Sequence, residues 1–283
     1  IPAMPKIAVA QGPFVDFRPK TVKPPFGAAR INWGHPLAQG LVGAWLFNEG
    51  AGQSFRQATD ASMTLTGGAW VQSARGLMFR TSSTITEEYA RALDTPYHAA
   101  TTFVTRGRRT GGTGSNRGIA SHYITEGTPG DWWLYFNASD VLLIDIPYVL
   151  GGVVVGATAV TDTSIFHTIA MSRAGSWTYK VFLDGRVDGT GTTATNPGNT
   201  GLSHVYLQQR AAGAGASNNG LLDMEFAYRF ARALSDNEIR ELHTEPYAFL
   251  QPVPAVTYVF MRTPAAAPAA GVTPLRTLMG VGR

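Results

Sequence analysis

The sequence predicts an all-β protein, an antiparallel β-sandwich with one short C-terminal helix and an extended proline-rich arm at each end. Three observations predict this architecture. After a short break at 174–176, Trp177, Tyr179, Val181 and Leu183 alternate with Thr178, Lys180, Phe182 and Asp184, which is the period of a half-buried strand. Seven of the 17 prolines lie in residues 1–36 and six in 246–283, so the segment between them is the part that can form central strands. Ser235 and Glu238 have the spacing of a helix capping box.

These observations divide the chain into an N-terminal arm at 1–36, a sandwich domain at 37–250 and a C-terminal arm at 251–283. The N-terminal arm has no sustained period, and Pro24-Pro25 favours extended backbone. It carries five Lys or Arg residues against one Asp, and residues 246–283 carry three Arg and no acid. We predict that both arms hold the protein in an assembly. The candidate contacts are Lys20, Lys23, Arg30, Tyr258, Phe260 and Arg276.

The sandwich domain is predicted to open with a strand in residues 40–47. Trp45 lies in an apolar run there, so we predict that it packs in the core rather than forming a platform for a sugar. Asn48 and Glu49 follow, and their oxygens suit calcium. The sequence Asn-Glu-Gly before a loop is also typical of a simple turn.

A basic glycine-rich stretch, RGRRTGGTGSNR, occupies residues 106–117. Arginine side chains and bare amides of this kind can contact phosphates. The stretch lacks the terminal Gly-Lys-Ser/Thr of a phosphate-binding P-loop, and no helical pattern follows it. We therefore predict a long hairpin loop kept soluble by its arginines, and no nucleic-acid partner.

The run DWWLYF at residues 131–136 contains the candidate residues for surface recognition, Trp132, Trp133 and Tyr135. Neighbouring residues of a strand point to opposite faces, so the two indoles cannot enter the same core layer. An outward indole could stack on a sugar ring or fill a pocket of a protein partner. Alternatively, a loop or the second sheet covers it.

The stretch 165–186 predicts two strands joined by a short break at 174–176 and closed by Asp184-Gly185. Ile169 and Met171 share one face of the first strand. Tyr179 and Val181 share a face of the second strand. Asp-Gly tolerates the positive φ angles of a tight hairpin turn.

A short helix is predicted to begin after Ser235. Leu234 and Ile239 have the spacing of a hydrophobic staple, and Ile239 with Leu242 gives the helix one apolar side. Pro246 ends the helix.

Three stretches resemble laminin-G-like domains, which have the concanavalin-A-type jelly-roll fold. They are FHTIA with VFLDG at 166–170 and 181–185, GLVGAWLFNEGAG at 40–52, and RALSDNEI at 232–239. The resemblance implies an antiparallel jelly roll, and it is the only basis for calcium as a cofactor. INWGHPL at 31–37 and EPYAF at 245–249 are similar to phage-encoded members of this group.

The same fold is used by family-16 glycoside hydrolases, which place a Glu-x-Asp-x-Glu strand at their active site. The corresponding stretch is LLDME at 221–225, where leucine stands in place of the first glutamate. The six histidines have no metal-ligand spacing, and no serine or carboxylate has a recognisable nucleophile context. We therefore predict a protein that is not an enzyme and has no metal site.

Two functional hypotheses follow. The first is a virion structural protein, a phage capsid decoration protein on the capsid surface, whose arms dock on the major capsid protein or on other copies of the chain. The second is a glycan-binding or receptor-binding module of a tail fibre or a cell-surface protein, with a host-surface glycan as its partner. The chain has no cysteine, which excludes disulfides, and no apolar run of membrane-spanning length, which predicts no membrane partner.

Overall fold

The computed structural model describes residues 8–11, 20–25, 27–49, 54–56, 62–81, 88–95, 98–123, 132–146, 152–175, 177–193, 203–209, 220–253 and 256–259. Nearly all regular structure in these ranges is β-strand, and a short 3-10 turn covers Pro36–Ala38. The strands and the helix are β1 (Ala8–Gln11), β2 (Ala29–Ile31), β3 (Leu41–Trp45), β4 (Ser54–Arg56), β5 (Ser62–Thr66), β6 (Ala69–Ser73), β7 (Gly76–Arg80), β8 (Tyr89–Thr95), β9 (Thr101–Arg109), β10 (Arg117–Tyr123), β11 (Trp132–Phe136), β12 (Val141–Asp145), β13 (Val153–Ala159), β14 (His167–Arg173), β15 (Thr178–Leu183), β16 (Arg186–Thr192), β17 (Ser203–Leu207), β18 (Leu222–Phe230), α1 (Asp236–Thr244), β19 (Leu250–Pro252) and β20 (Val256–Val259).

The chain forms two compact units. The larger unit, residues 16–253, contains two large antiparallel sheets. One has the strand order β13-β12-β11-β10-β17-β8-β5-β4, and the other has the order β16-β15-β14-β9-β18-β7-β6, with β3 also pairing with β18. The smaller unit contains residues 1–15 and 254–283, in which β1 pairs antiparallel with β20. The predicted all-β antiparallel sandwich with one helix is confirmed.

The main core lies between the two large sheets. Each sheet contributes the side chains of alternate residues, and Trp45 lies in this core as predicted. Ile169 and Met171 of β14 point into it, whereas Ala170 points to the opposite face of the same sheet. The period of two in the sequence therefore reports two buried faces rather than one buried and one solvated face.

The predicted hairpin is confirmed at its turn. Leu183 pairs with Arg186 across Asp184 and Gly185, whose φ angles are 50° and 76°. Two consecutive positive φ angles define the turn type that suits the twist of paired strands. A Cβ atom on Gly185 would also lie 3.0 Å from His243 Cβ, so glycine is required by space as well as by backbone angle.

Helix α1 covers the outer face of the sheet that contains β9 and β18. The Ser235 hydroxyl accepts from the Glu238 amide, and the Glu238 carboxylate accepts from the Ser235 amide, which completes the predicted capping box. Ile239 and Leu242 are buried against this face, together with Leu234. A hydrogen bond from Arg232 is the main cause that lowers the pKa of Glu238 to about 2, so this carboxylate is charged at neutral pH.

Candidate functional site

The two tryptophans of β11 point to opposite sides of the sheet that contains β10, β11 and β12, as strand alternation requires. Trp132 faces the main core and lies 5.7 Å from Phe103 between ring centroids. Trp133 faces outward and stacks on Tyr135 at 3.7 Å. However, only 4% of Trp133 and 9% of Tyr135 are exposed. Of the two alternatives that the sequence leaves open for the outward indole, this structure has the covered side chain.

Trp133 and Tyr135 belong to a buried cluster on this outer face, which we call the outer aromatic layer. Its members are Tyr89, Tyr123, Trp133, Tyr135, Leu143 and Tyr206. Tyr89 and Tyr206 meet edge to face with ring centroids 5.3 Å apart. The members come from five strands, so only the sheet brings them together. Because every member is buried, the layer offers no open platform for a sugar in this structure.

The structure places the predicted arm residues in different settings. Lys20 donates to the Ala248 carbonyl, and its own carbonyl accepts from the Tyr247 amide. Arg30 is exposed in β2, opposite Gln251 of β19. Tyr258 lies in β20, whereas Phe260 and Arg276 lie outside the described residues.

Lys23 has an internal position. Its ammonium group donates to the carbonyls of Glu225 at 2.7 Å, Phe47 at 3.2 Å and Leu77. Burial lowers the pKa of Lys23 to about 7, although the charges of Glu225 and Glu49 partly oppose this shift. Lys23 therefore holds the segment 20–25 against β7 and β18.

Four arginines and two carboxylates form a network on the outer face of the sheet that contains β9 and β18, and we call this network the arginine cluster. Its members are Arg75, Arg80, Arg106, Arg108, Asp223 and Glu225. Asp223 accepts from Arg80 Nη2 at 2.8 Å and from Arg108 Nη2 at 2.6 Å. Burial would raise the pKa of Asp223, but these two arginines outweigh it, so the pKa lies below its ordinary value.

Glu225 lies where the pairing of β18 with β9 shifts register, between Met224 and Phe226. Such a bulge redirects a side chain that would otherwise follow the strand's alternation. The Glu225 carboxylate accepts from Arg75 Nε at 2.9 Å and from the Tyr247 hydroxyl at 2.8 Å. Burial and the Glu225 charge raise the pKa of Tyr247 well above its ordinary value, so the hydroxyl stays protonated and donates.

This finding corrects the prediction for residues 106–117. Strand β9 continues to Arg109, so Arg106 and Arg108 lie in the sheet rather than in a loop. Arg109 is buried and donates to Asp140 at 2.8 Å. Arg108 pairs with Asp223 and Arg109 pairs with Asp140, and the sequence does not show those pairings.

A cleft of about 550 Å³ adjoins the arginine cluster, and we call it the polar cleft. It is lined by residues 21–23, by 72–76 of the β6–β7 turn and by Glu225. Hydroxyl, amide, guanidinium and carboxylate groups therefore face one space, together with the exposed Val22. Clefts of this volume hold small ligands, and a few convergent polar groups orient them.

His167 and Asp184 form a second polar group, at the β15–β16 turn. His167 Nδ1 lies 2.7 Å from Asp184 Oδ2, and the Thr168 amide donates to Asp184 Oδ1 at 2.9 Å. His243 Nδ1 lies 3.0 Å from the Thr168 hydroxyl. These bonds join β14, the hairpin turn and α1.

Within the described ranges, no group of three or more His, Cys, Asp or Glu side chains could hold a metal ion. No helix in the described part of the chain is long and apolar enough to cross a membrane.

Comparisons with protein-family models and with curated proteins find no match. Solved structures do show a similar fold. Trypanosoma rangeli sialidase in complex with sialic acid matches 74% of this chain with a TM-score of 0.57 and 14% identity. The binding domain of Paraclostridial Mosquitocidal Protein 1 matches 73% with a TM-score of 0.56 and 11% identity.

Domain 4 of AbnA, a GH43 extracellular arabinanase from Geobacillus stearothermophilus, was solved with arabinotriose. It matches 76% of this chain with a TM-score of 0.54 and 13% identity, and 99% of that domain is covered. The chain spans only 33% of the sialidase and 52% of the mosquitocidal protein structure. At these identities the likeness shows the fold, a β-sandwich consistent with the predicted jelly roll.

The comparison also corrects one prediction. The chain was predicted not to be an enzyme, but the solved structures that share its fold include sialidases, among them a mutant displaying trans-sialidase activity. That prediction rested on the altered LLDME strand and on the lack of a recognisable nucleophile or metal context, and the likeness to sialidases shows that it was wrong. The altered LLDME strand concerns one hydrolase mechanism only.

Proposed function

We propose that the sandwich binds a glycan in the polar cleft. The observation that carries the proposal is the meeting of Gln72, Ser73, Arg75 and Glu225 with the segment 21–23 around one open space of about 550 Å³. A sugar presents many hydroxyl groups, each of which donates and accepts hydrogen bonds. A cleft lined by both donors and acceptors can satisfy them, whereas a purely apolar pocket leaves them unpaired.

The position of the cleft supports the proposal. The β6–β7 turn is fixed by Ser73, whose hydroxyl donates to the Gly76 carbonyl and accepts from the Arg75 amide. The opposite wall is fixed by Lys23 through its carbonyl contacts. A site with rigid walls loses less entropy on binding than a mobile loop would.

The structural comparisons support a carbohydrate ligand in general terms. One similar domain was solved with arabinotriose, a similar sialidase was solved with sialic acid, and a third similar structure is named as a binding domain. A shared fold at this identity does not transfer a site, so the location in the polar cleft comes from this chain's own side chains.

A binding experiment tests the proposal. The full chain is expected to bind at least one saccharide on a glycan array, and titration calorimetry then gives its affinity. Gln72→Ala and Thr21→Ala each remove one exposed polar group of the cleft and are expected to weaken binding about threefold to tenfold, the usual effect of one hydrogen bond. Thr190→Ala, at an exposed position of β16, serves as the control. An empty array, or cleft variants that bind like Thr190→Ala, would reject this function for the cleft.

Capsid decoration, the first hypothesis from the sequence, is a second candidate function. It is supported by the smaller unit, in which the two ends of the chain pair as four-residue strands β1 and β20. A two-stranded ribbon is marginally stable in water, so a partner surface would stabilise it. In this proposal the smaller unit, residues 1–15 and 254–283, docks on the major capsid protein or on other copies of the chain at the surface of a phage virion.

Quantitative mass spectrometry of purified particles tests this candidate. A copy number near that of the major capsid protein is expected for a decoration protein. Absence of the chain from the particles would contradict a virion role and would leave the glycan proposal unaffected.

A further inference from the structure

The unequal pairing of Arg75 and Arg106 is the feature of the arginine cluster that points to a ligand. Both guanidinium groups approach the same carboxylate oxygen, Glu225 Oε2, at 2.9 Å and 3.9 Å from their Nε atoms. The second Glu225 oxygen accepts from the Tyr247 hydroxyl. One carboxylate therefore serves two arginines, and only the closer arginine makes a hydrogen bond to it.

Arg106 is less well paired than Arg75. Its side chain is 15% exposed, and its Nε is buried without a hydrogen-bond partner among the described residues. Burial and then the neighbouring Arg75 charge lower the pKa of Arg106 from its ordinary value. Buried charges in proteins are normally paired, and leaving one unpaired is costly.

The neighbouring carboxylates are already engaged. Asp223 accepts from Arg80 and Arg108. Asp184 accepts from the Thr168 amide and pairs with His167. Four guanidinium groups thus face two carboxylates in the cluster, which leaves it with a positive excess.

The positive excess is accessible from the polar cleft. Arg75 lines the cleft and keeps 34% of its side chain exposed. Its Nε is used by Glu225 and its guanidinium carbon lies 5.5 Å from the centroid of the Phe166 ring, so the edge that carries the terminal nitrogens is the part left for a ligand. The terminal nitrogens of an arginine form a planar pair that matches the two oxygens of a carboxylate.

We propose that the polar cleft takes an acidic sugar, whose ring carboxylate is bound by Arg75 and neutralises the charge excess of Arg75 and Arg106. This inference rests on the proposed glycan-binding function and adds the class of sugar. The remaining hydroxyl groups of the sugar face Gln72, Ser73 and Thr21. Arg106 attracts the sugar carboxylate through its charge alone, and we assign no direct contact between Arg106 and the sugar.

Matched sugar pairs test the proposal with the full chain. Trigalacturonate is compared with its methyl ester, and 3′-sialyllactose with lactose, so each pair differs in a carboxylate group or in the acidic residue that carries it. We expect the acidic member of one pair to bind at least about tenfold more tightly than its neutral partner, as one lost charge-assisted contact predicts. The preferred pair distinguishes a hexuronate from a sialic-type acid.

The variant Arg75→Gln keeps a polar side chain of similar length and removes the charge. It is expected to weaken binding of the acidic sugar about tenfold to a hundredfold and to weaken binding of the neutral sugar by a smaller factor, so the ratio of the two affinities should fall toward one. The matched control is Arg240→Ala, an exposed arginine of α1 that is not part of the cleft. Higher salt should weaken the binding of the acidic sugar to the native chain more than its binding to Arg75→Gln.

The outcomes separate this inference from the function on which it rests. Equal affinity for the acidic and neutral members of both pairs, with binding retained in Arg75→Gln, would overturn the acidic-sugar proposal and preserve glycan binding. If no sugar binds and the glycan array is also empty, both proposals fail. Loss of the carboxylate preference in Arg75→Gln, with an unchanged circular dichroism spectrum, supports the acidic sugar.

Discussion

Asp223→Ala is expected to lower the free energy of unfolding by about 3–5 kcal/mol, the cost of removing one partner from a buried charge network. The side chain of Asp223 is fully buried, and it accepts from Arg80 and Arg108 at once. Its removal leaves both guanidinium groups beside each other without a counter-charge. Urea unfolding monitored by tryptophan fluorescence measures the loss.

Asp188→Ala is the matched control for this prediction. Asp188 accepts from the Thr158 hydroxyl at the surface, so its removal should cost less than about 1 kcal/mol. Asp223→Asn keeps the shape of the side chain and removes its charge. Its loss in the free energy of unfolding should lie between those of Asp223→Ala and Asp188→Ala. A loss at Asp223 no larger than the loss at Asp188 would show that the arginine cluster does not depend on this carboxylate for stability.

The pH dependence of stability gives an independent check. The pKa of Asp223 is lower in the folded chain than in the unfolded chain, where it is about 3.9. The unfolded chain therefore binds the proton more readily, and stability contributed by this group falls as the pH decreases from that value through the folded pKa. Asp223→Ala lacks this carboxylate, so the part of the decrease in stability that Asp223 causes should be absent from the variant.

Features that depend on neighbouring residues could be predicted from the sequence. The hairpin around Asp184 and Gly185 follows from strand period and turn chemistry, and both are local properties. The cap of α1 follows from the spacing of Ser235 and Glu238. Such signals need no knowledge of which distant strands become neighbours.

The arginine cluster could not be predicted in this way. Arg106 and Arg108 stand in a run of basic and glycine residues, which by itself is typical of a solvated loop. Their partners Glu225 and Asp223 lie on β18, more than a hundred residues further along the chain. The local signal is the pair of acidic residues Asp223 and Glu225 in the mostly apolar strand β18, which resembles part of a hydrolase motif and does not indicate arginine partners.

Burial of the outer aromatic layer could not be predicted from the sequence either. Alternation correctly separates Trp132 from Trp133, because it is a property of a single strand. Whether the outward side chain is exposed depends on what packs over the sheet, and alternation does not contain that information. Trp133 is covered, and the predicted surface site is therefore a second buried layer in this structure.

Trp132→Ala and Trp133→Ala are accordingly both expected to lower the free energy of unfolding by about 3–5 kcal/mol, the usual range for truncating a buried aromatic side chain. Trp132 leaves a cavity against Phe103 in the main core, and Trp133 leaves one against Tyr135 in the outer aromatic layer. Urea unfolding of each variant measures the two losses separately. Trp33→Ala is the control, since Trp33 is 60% exposed and its removal should change stability by less than about 0.5 kcal/mol.

The comparison of Trp133 with Trp33 decides between burial and recognition at β11. A large loss at Trp133 means that the outer aromatic layer stabilises the fold, and that a sugar would have to displace whatever covers it before it could stack on the indole. A loss as small as that of Trp33 would mean that Trp133 is open to solvent and would return it to the candidate binding residues. Since displacing a packed layer costs energy that an open cleft does not, the expected large loss also favours the polar cleft as the place where ligand binding begins.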